Sequence, residues 1–414
     1  MSQSFPEVGQ SRAALEAELT RMKAGDFDWT SGRVAAYTYY RDAELLDLSK
    51  AAYLAFFQEN LLGTRVFPSL VQIERDVIQM GRELFHAPHG DGLFTSGGTE
   101  SIFLACLAAR ERAFAQGFER SLRPQIVCCE TLHGAFNKAA LFLGMEVLRT
   151  PMRADFRADP ALIESALSER TVMVAASAPS YAHGVFDPIE PIAALASARG
   201  LWFHVDACVG GFLAPFLADA GYPAPRFDFL VPGVTSLSAD IHKYGMAAKG
   251  ASLLVFGGAT DREHTSFVFS EWPKGTYTTA TFGGSRPAGP LASAWAVMKY
   301  LGRAGYAANL RTIMDTRARL AAGIQAIDGL EVLPGDLCML AYRGLGKRLD
   351  TDALAEQMGQ RGWYVGRNAR PKSIHLALNT VHARIVEPYL ADLRSAVDAV
   401  RASGLVGKED TQTY

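Results

Sequence analysis

The chain has 414 residues, of which 49% are apolar and 20% charged, and its net charge is −2 at pH 7. This composition predicts a soluble globular protein with one large and one smaller domain, and the near-neutral charge gives no electrostatic support for nucleic-acid binding. An odd number of cysteines without CxxC or metal-ligand spacing argues against a disulfide framework or a metal site, so a reducing cytoplasm is the expected location.

The N-terminal part of the sequence has the periodicity of helices. Residues 1–23 are polar and lack the charged and apolar regions of a signal peptide. Leucine and alanine recur at helical spacing between Leu45 and Phe57. We expect a helical N-terminal segment over residues 1–60. The sequence contains no run of about 18 apolar residues, so we expect no transmembrane helix.

From residue 93 onward, short apolar runs alternate with helical ones. Because the strands are apolar throughout and alternate with helices, we predict an α/β domain whose mostly parallel central sheet has helices on both faces. Its boundaries are predicted at residues 61 and 302. The predicted strands are 125–129, 146–149, 172–177, 201–206, 235–238 and 252–256, and the predicted helices are 99–116, 161–168 and 189–199.

The last quarter of the sequence follows a predicted long helix at about 290–330. It combines two short apolar runs, 338–342 and 374–378, with two helical stretches. We predict a small C-terminal α+β domain over residues 303–406.

A glycine-rich turn, TSGGTES at residues 95–101, directly precedes a helical run. Glycine lets the backbone approach an anion closely, and a helix start offers unpaired N–H groups and the positive end of a dipole. Gly97, Gly98 and Thr99 are therefore candidate phosphate ligands. The alternative is an ordinary turn with a Ser or Thr cap.

Two later segments contain the residue types that pyridoxal phosphate requires. Asp206 ends one apolar run, and Lys243 follows another, with Ser238 and His242 before it. The lysine would form a Schiff base with the aldehyde of the cofactor, and the acid would keep the ring nitrogen protonated. A turn aspartate and an exposed lysine are the alternatives. His204, on the same strand face as Asp206, is predicted to be a hydrogen-bonded core residue.

Two further segments are candidates for contacts with the cofactor. His133 follows the predicted strand 125–129, where an imidazole would stack on the ring or act as an acid or base. Gly284 and Ser285, in the turn GGSRP at 283–287, would contact the phosphate across a dimer interface. Ordinary loops are the alternative for both segments.

Taken together and in order, these segments resemble the sphingosine-1-phosphate lyase family, which belongs to the group II decarboxylase-like set of fold-type I pyridoxal-phosphate enzymes. The matching stretches extend through the predicted large domain and into the small one. They are TSGGTESI (95–102), HGAFNKAA (133–140), HGVFDP (183–188), HVDACVGGF (204–212), SADIHKYGMAAKG (238–250), GGSRP (283–287) and SIHLALNTVHAR (373–384).

The resemblance implies a fold-type I, transferase-like architecture and a homodimer with shared active sites. It assigns Lys243 to the covalent bond with pyridoxal 5'-phosphate, Asp206 to the ring nitrogen and His133 to stacking on the ring. The phosphate would be held by Gly98, Thr99 and His242, with Ser285 coming from the partner. Lys249, Tyr39, Tyr40 and Asn60 match positions near the substrate.

Two departures from the family pattern bear on the substrate. Eukaryotic members have an upstream membrane helix that this sequence lacks, so a soluble bacterial type is expected. The family also has a histidine three residues after the asparagine that matches Asn60, and this chain has Gly63 there. That histidine is implicated in recognition of the substrate phosphate. Arg65 is a candidate replacement as a phosphate or carboxylate partner.

The resemblance implies cleavage of the Cα–Cβ bond of a phosphorylated long-chain amino alcohol to an aldehyde and phosphoethanolamine. Decarboxylation of an amino acid on the same scaffold is the alternative. A protein of this fold that only binds its cofactor is a third hypothesis.

Overall fold

The computed structural model describes residues 5–346 and 349–409. Its central feature is a seven-stranded sheet in the order β1-β7-β6-β5-β4-β2-β3. Strand β7 is antiparallel to β1 and β6, and the other neighbouring pairs are parallel, which confirms the predicted mostly parallel sheet. The strands are β1 (Asp91–Thr95), β2 (Gln125–Cys129), β3 (Glu146–Thr150), β4 (Thr171–Ser177), β5 (Trp202–Asp206), β6 (Ser236–Ala239) and β7 (Ser252–Phe256).

Helices cover both faces of this sheet. Successive residues of a strand point to opposite faces, and in β4 Met173 and Ala175 join one apolar cluster while Val174 and Ala176 join the other. One cluster lies under α4 (Gly98–Ala115) and α5 (Ala135–Leu143). The other lies under α3 (Pro68–Leu84), α6 (Pro160–Ala166), α7 (Ile189–Ala198) and α9 (Gly289–Gln325).

The remaining elements lie before, beside and after the large sheet. Two helices precede α3: α1 (Arg12–Lys23) and α2 (Ala43–Ala55), and the latter packs along α9, where the Ser49 and Ser293 hydroxyls are 2.7 Å apart. A short helix α8 (Ala259–Glu263) and a hairpin of β8 (Phe267–Phe269) and β9 (Tyr277–Thr279) follow β7.

A second, four-stranded antiparallel sheet forms the C-terminal part in the order β10-β11-β13-β12. Its strands are β10 (Leu330–Val332), β11 (Met339–Gly344), β12 (Gly366–Ala369) and β13 (Lys372–Ala377), with α10 (Thr351–Gln360) and α11 (Val386–Ser403) beside them. Helix α9 connects the two sheets and is interrupted at Gly302, whose φ of 52° and ψ of −176° are not helical.

The N-terminal segment between α1 and α2 adds to the small sheet. Ala35 N–H donates to the Tyr364 carbonyl at 3.0 Å, and Ala377 N–H donates to the Ala35 carbonyl at 2.8 Å. Tyr364 N–H donates to the Arg33 carbonyl at 2.9 Å. Residues near the two ends of the chain therefore form one wall of the cleft between the sheets.

Within the described ranges, no helix combines the length and the apolar character that crossing a bilayer requires.

Candidate active site

A cavity of about 1190 Å³ lies between the large and the small sheet. Its floor is the carboxyl edge of three adjacent parallel strands, where Ser177, Asp206 and Ser238 are register neighbours. Ligands bind at this edge in open α/β sheets. Asp206, Lys243, His133 and His242 all line the cavity, so the structure brings together the residues that the sequence indicates for pyridoxal phosphate.

The glycine-rich turn leads into α4 at the edge of the cavity, and Gly97, Gly98 and Thr99 all line it. A β-carbon on Gly98 would lie 2.7 Å from the Cys208 sulfur and 2.9 Å from both carboxylate oxygens of Asp240. Only glycine fits there without displacing buried neighbours. Because the first N–H groups of a helix have no partner within the helix, this end of α4 is suited to hold a phosphate group.

Lys243 is held by a neighbouring acid. Its Nζ lies 2.9 Å from Asp240 Oδ2, which is also 3.6 Å from His242 Nε2. Burial by itself would lower the pKa of the Lys243 amine, but the adjacent Asp240 carboxylate outweighs it and raises that pKa well above its usual value. Burial would likewise raise the pKa of Asp240, and Lys243, with smaller contributions from His242 and the Ser252 hydroxyl, brings it below its usual value. The pair is therefore charged at neutral pH.

Asp206 is buried at the end of β5, with 7% of its surface exposed. Its carboxylate accepts a hydrogen bond from the Cys208 N–H at 3.1 Å. His204, two residues earlier, has Nδ1 2.8 Å from the Ser236 hydroxyl and Nε2 3.1 Å from the Ser238 hydroxyl. The structure therefore has His204 as the hydrogen-bonded core residue that the sequence predicts. The Ser238 hydroxyl therefore contacts His204, although Ser238 is the register neighbour of Asp206 in the sheet.

His133 lies at the start of α5, on the cavity wall. Its Nδ1 accepts a hydrogen bond from the Ala135 N–H at 3.1 Å, which fixes the orientation of the ring. Burial is the main cause that lowers the pKa of the imidazole, with Asp206 opposing and Lys243 assisting. A neutral, oriented ring beside both residues is suited to stacking on a flat cofactor.

Tyr39 and Lys249 lie behind Lys243. The Lys249 ammonium is 4.6 Å from the centre of the Tyr39 ring and donates to the His242 carbonyl at 3.0 Å. Burial and the adjacent Lys243 lower the pKa of Lys249 to about 8. Both side chains are therefore close to the candidate Schiff-base lysine.

Besides Tyr39, Lys249 and Ser238, which adjoin lining residues, five predicted site residues lie away from this cavity. None of them is in its lining as formed by the described residues of one chain. Asn60 and the turn GGSRP are joined, because Asn60 pairs with Pro287 and the Leu61 N–H donates to the Arg286 carbonyl at 2.9 Å. The five residues are Tyr40, Asn60, Arg65, Gly284 and Ser285.

Several cavity residues have no role predicted from the sequence. Asp240 is the most informative, and its position three residues before Lys243 is the signal that would have found it. His183 and His375 form the wall opposite α4 with Tyr181, whose carbonyl is 2.9 Å from His375 Nε2. Asp240, His183 and His375 lie in motifs quoted for the resemblance, but residue type alone gives them no role.

These groups fit pyridoxal phosphate. The cavity offers an anion cradle at α4, a buried lysine amine, a buried carboxylate and an oriented imidazole within one cleft. Among the described residues, Asp240 Oδ1 is a buried oxygen without a hydrogen-bond partner, although most buried polar atoms in proteins have one.

Comparisons with known proteins agree with this geometry. Residues 51–339 match the pyridoxal-dependent decarboxylase conserved domain. The chain is 36% identical over 409 residues to a sphingosine-1-phosphate lyase of Oryza sativa subsp. japonica, and the match covers 96% of this chain and 75% of the relative.

Solved structures give the same result. A sphingosine-1-phosphate lyase of Burkholderia pseudomallei superimposes with a TM-score of 0.92 at 34% identity, covering 98% of this chain and 94% of that one. Glutamate decarboxylase of Lactobacillus brevis has a TM-score of 0.84 at 20% identity, over 98% and 97% of the two chains, which supports the fold. The chain thus belongs to the pyridoxal-dependent decarboxylase family and, within it, to the sphingosine-1-phosphate lyase family, and it is a pyridoxal-phosphate-dependent lyase.

Proposed function

We propose that this enzyme cleaves the Cα–Cβ bond of a phosphorylated long-chain amino alcohol of the sphingosine-1-phosphate type, giving a long-chain aldehyde and phosphoethanolamine. The observation that supports this most is the convergence of Lys243, Asp206 and His133 on one cavity beside the glycine cradle of α4. The relatives' names supply the substrate class.

Each residue has a proposed task. Lys243 holds the cofactor covalently, Asp206 faces its ring nitrogen and His133 stacks on its ring. Gly97, Gly98, Thr99 and His242 hold its phosphate. Bound pyridoxal phosphate supplies an electron sink for a bond broken at the amine-bearing carbon. Lys243 Nζ, once released, is placed to return a proton to that carbon, and the cavity walls orient the bond to be broken.

The relatives' names favour the lyase over an amino-acid decarboxylase, and two of the cations that line the cavity are already paired with acids. Lys138 also lines the cavity, so decarboxylation stays the alternative. A decarboxylase needs a cation that is free to bind the substrate carboxylate. Arg367 is 3.3 Å from Asp352, and Arg370 is 3.4 Å from Glu130 with 80% of its side chain exposed. His375 is neutral, because burial lowers its pKa to about 4. We assign recognition of the substrate phosphate to Lys249 and Tyr39, which contact each other beside Lys243.

We also propose that two chains form a dimer and share their active sites. Asn60 and Ser285 belong to two joined loops outside the cavity of their own chain. Large apolar side chains are exposed on these loops: Val66 at 72%, Phe282 at 74% and Leu62 at 52%. Exposed apolar groups of this kind mark interaction surfaces. A partner would cover them and bring Ser285, Gly284, Asn60 and Arg65 toward its own cavity, with Tyr40 at the substrate channel.

We also propose the domain boundaries and the cellular location of the enzyme. We place the domain boundaries at residues 60 and 302, so that the segments are 1–60, 61–302 and 303–406. The interruption of α9 at Gly302 supports the second boundary. We place the enzyme in the cytoplasm, which the five buried free cysteines support.

A two-product assay tests the proposed function. The purified enzyme is given dihydrosphingosine phosphate, the same compound without phosphate, and a panel of amino acids. Aldehyde and carbon dioxide are measured in parallel, and Lys243→Ala serves as the control. Aldehyde from the phosphorylated compound, absent with Lys243→Ala, is expected. Carbon dioxide from an amino acid without any aldehyde would replace the proposal with a decarboxylase.

A further inference from the structure

Asp240 is a buried acid that the chemistry described above does not use. Its side chain is 2% exposed, and it lies in the turn that connects β6 to Lys243. Oδ2 contacts Lys243 Nζ at 2.9 Å, and Oδ1 has no hydrogen-bond partner among the described residues. A buried carboxylate is costly unless it is paired, and its contact with the Lys243 ammonium is the ion pair that compensates this cost.

We propose that Asp240 is a positioning residue: its carboxylate docks the ammonium group of Lys243 in the cofactor-free chain, and docks it again during turnover whenever Lys243 is not bonded to the cofactor. The second half of this statement rests on the proposed function.

The neighbours of Lys243 leave Asp240 as its counter-charge. Tyr39 and Cys208 also lie close enough to act electrostatically on Lys243. Burial raises the pKa of the Tyr39 phenol and of the Cys208 thiol, so both stay neutral at physiological pH. Of these three groups, Asp240 alone carries the negative charge that an ammonium needs.

The other charged and titratable groups that act on Asp240 are cations or neutral rings. His242 lies 3.6 Å from Oδ2, and burial is the main cause that lowers its pKa to about 4, so it is neutral. Lys249 and His133 act on Asp240 from farther away. From the helix side, α4 presents Gly98, which has no side chain. Lys243 is therefore the principal partner of Asp240.

The exchange of amines during turnover conserves protons and charge if Lys243 leaves as an ammonium. The substrate nitrogen would replace Lys243 Nζ on the aldehyde carbon of bound pyridoxal phosphate, so that one C–N bond would form as the other breaks, with the linkage protonated before and after. The substrate ammonium gives up two protons, and Lys243 Nζ takes up two. The new ammonium then needs a buried anion within reach, and Asp240 lies three residues away in the same turn.

The first experiment uses cofactor-free protein and no substrate, so its result does not depend on which compound the enzyme cleaves. Wild type and Asp240→Asn are methylated with formaldehyde and cyanoborohydride between pH 6 and 10, and modification at Lys243 is followed by peptide mass spectrometry. Exposed Lys274 is the internal standard. Asp228→Asn is the matched control, because it removes a buried carboxylate that pairs with His86 outside the cavity.

In wild type, Lys243 is expected to react at least tenfold more slowly than Lys274 at pH 8, because only the free amine reacts. In Asp240→Asn the methylation of Lys243 is expected to be about tenfold faster or more. The pH at which its rate is half-maximal is expected to fall by about one unit or more. Asp228→Asn is expected to match wild type. Equal rates at Lys243 in wild type and Asp240→Asn would overturn the proposal.

Two measurements keep the proposal open to refutation. If Asp240→Asn does not fold, the pH dependence of methylation in wild type is sufficient. A half-maximal rate of Lys243 at a pH equal to or below that of Lys274 refutes docking, and one at a higher pH supports it. For turnover, Asp240→Asn loaded with cofactor is expected to lose about tenfold in kcat with KM changed less than twofold, since Asp240 acts on the released lysine. An unchanged kcat would refute the second half while leaving the proposed function intact.

Discussion

The inner cleft and the outer loop face, which the loops of Asn60 and Ser285 form, differ in what they bury and what they expose. In the cleft, Asp206 and Asp240 are almost fully buried, and each is held by a specific donor or cation. On the outer face, Val66 and Phe282 expose about three quarters of their surfaces. Buried polar groups that are already paired need no further partner, whereas exposed apolar groups do. The residues proposed to hold the cofactor therefore come mostly from one chain, and in the proposed dimer a second chain would complete the substrate end.

The largest expected effect comes from removing the lysine at the centre of the cleft. In Lys243→Ala the covalent bond and the proton carrier are lost together, so we expect the visible absorbance band of the bound cofactor to vanish and kcat to fall about 10³-fold or more. Absorbance spectroscopy and the aldehyde assay measure the two losses. Lys274→Ala is the control. A band that persists in Lys243→Ala would remove this residue from its role.

A bulkier residue at the start of α4 tests how tightly the cleft is packed. In Gly98→Ala the new methyl group would meet the Cys208 sulfur and the Asp240 carboxylate. We expect a loss of about 1–3 kcal/mol, seen as cofactor affinity weaker by about 10–100-fold. Absorbance titration gives the Kd. Gly25→Ala, where a β-carbon would meet nothing within 4 Å, is expected to bind as wild type does.

The pH dependence of kcat/KM tests whether Lys249 belongs to the substrate end of the site. Because the pKa of Lys249 is lowered to about 8, its charge is present below that pH and lost above it. If Lys249 pairs with the substrate phosphate, kcat/KM for a phosphorylated substrate falls by about 10–100-fold as pH rises from 7 to 9.5. In Lys249→Met this fall should be absent, with the low value found at every pH. An unchanged profile in the variant would assign the fall to another group.

A substitution on the outer loop face is expected to have the smallest effect on the stability of the single chain. Val66→Asp places a charge on an exposed position, so the free energy of unfolding of the single chain should change by less than about 0.5 kcal/mol. Dimerisation should weaken at least about tenfold, and activity per chain should become dependent on protein concentration. Light scattering and activity at several dilutions measure this. Leu230→Asp, on another exposed loop, is the control; equal behaviour of the two variants would contradict the proposed interface.

The two regions also differ in how much the sequence predicts. Most strands of the large sheet are short apolar runs that alternate with helices, so their existence and a mostly parallel sheet follow from the pattern. The antiparallel direction of β7 does not follow from it. Strand β1 was missed because only Leu93 and Phe94 of its five residues are apolar. Asp206 and Lys243 were found because their chemical types match one cofactor. Asp240 was not, because an acid three residues from a lysine is also the usual pattern of an exposed turn.

The outer face could be predicted only through resemblance. Nothing in the residue types of Asn60 or Ser285 indicates that the two lie together, since more than two hundred positions separate them. The backbone pairing of Asn60 with Pro287 makes them neighbours. Whether such a face belongs to a second chain depends on contacts between copies, and no periodicity within one sequence encodes them.

The pairing of the N-terminal segment with the small sheet has a consequence for the order of assembly. Ala35 bonds to Tyr364 and Ala377, which leave the ribosome more than three hundred residues later. Contacts between such distant positions close large loops and form late. The seven-stranded sheet, with Lys243 in place, is therefore fully synthesised before the far wall of the cleft exists. We expect the aldehyde of the cofactor to reach Lys243 most easily in that interval, before the small sheet closes over the cleft.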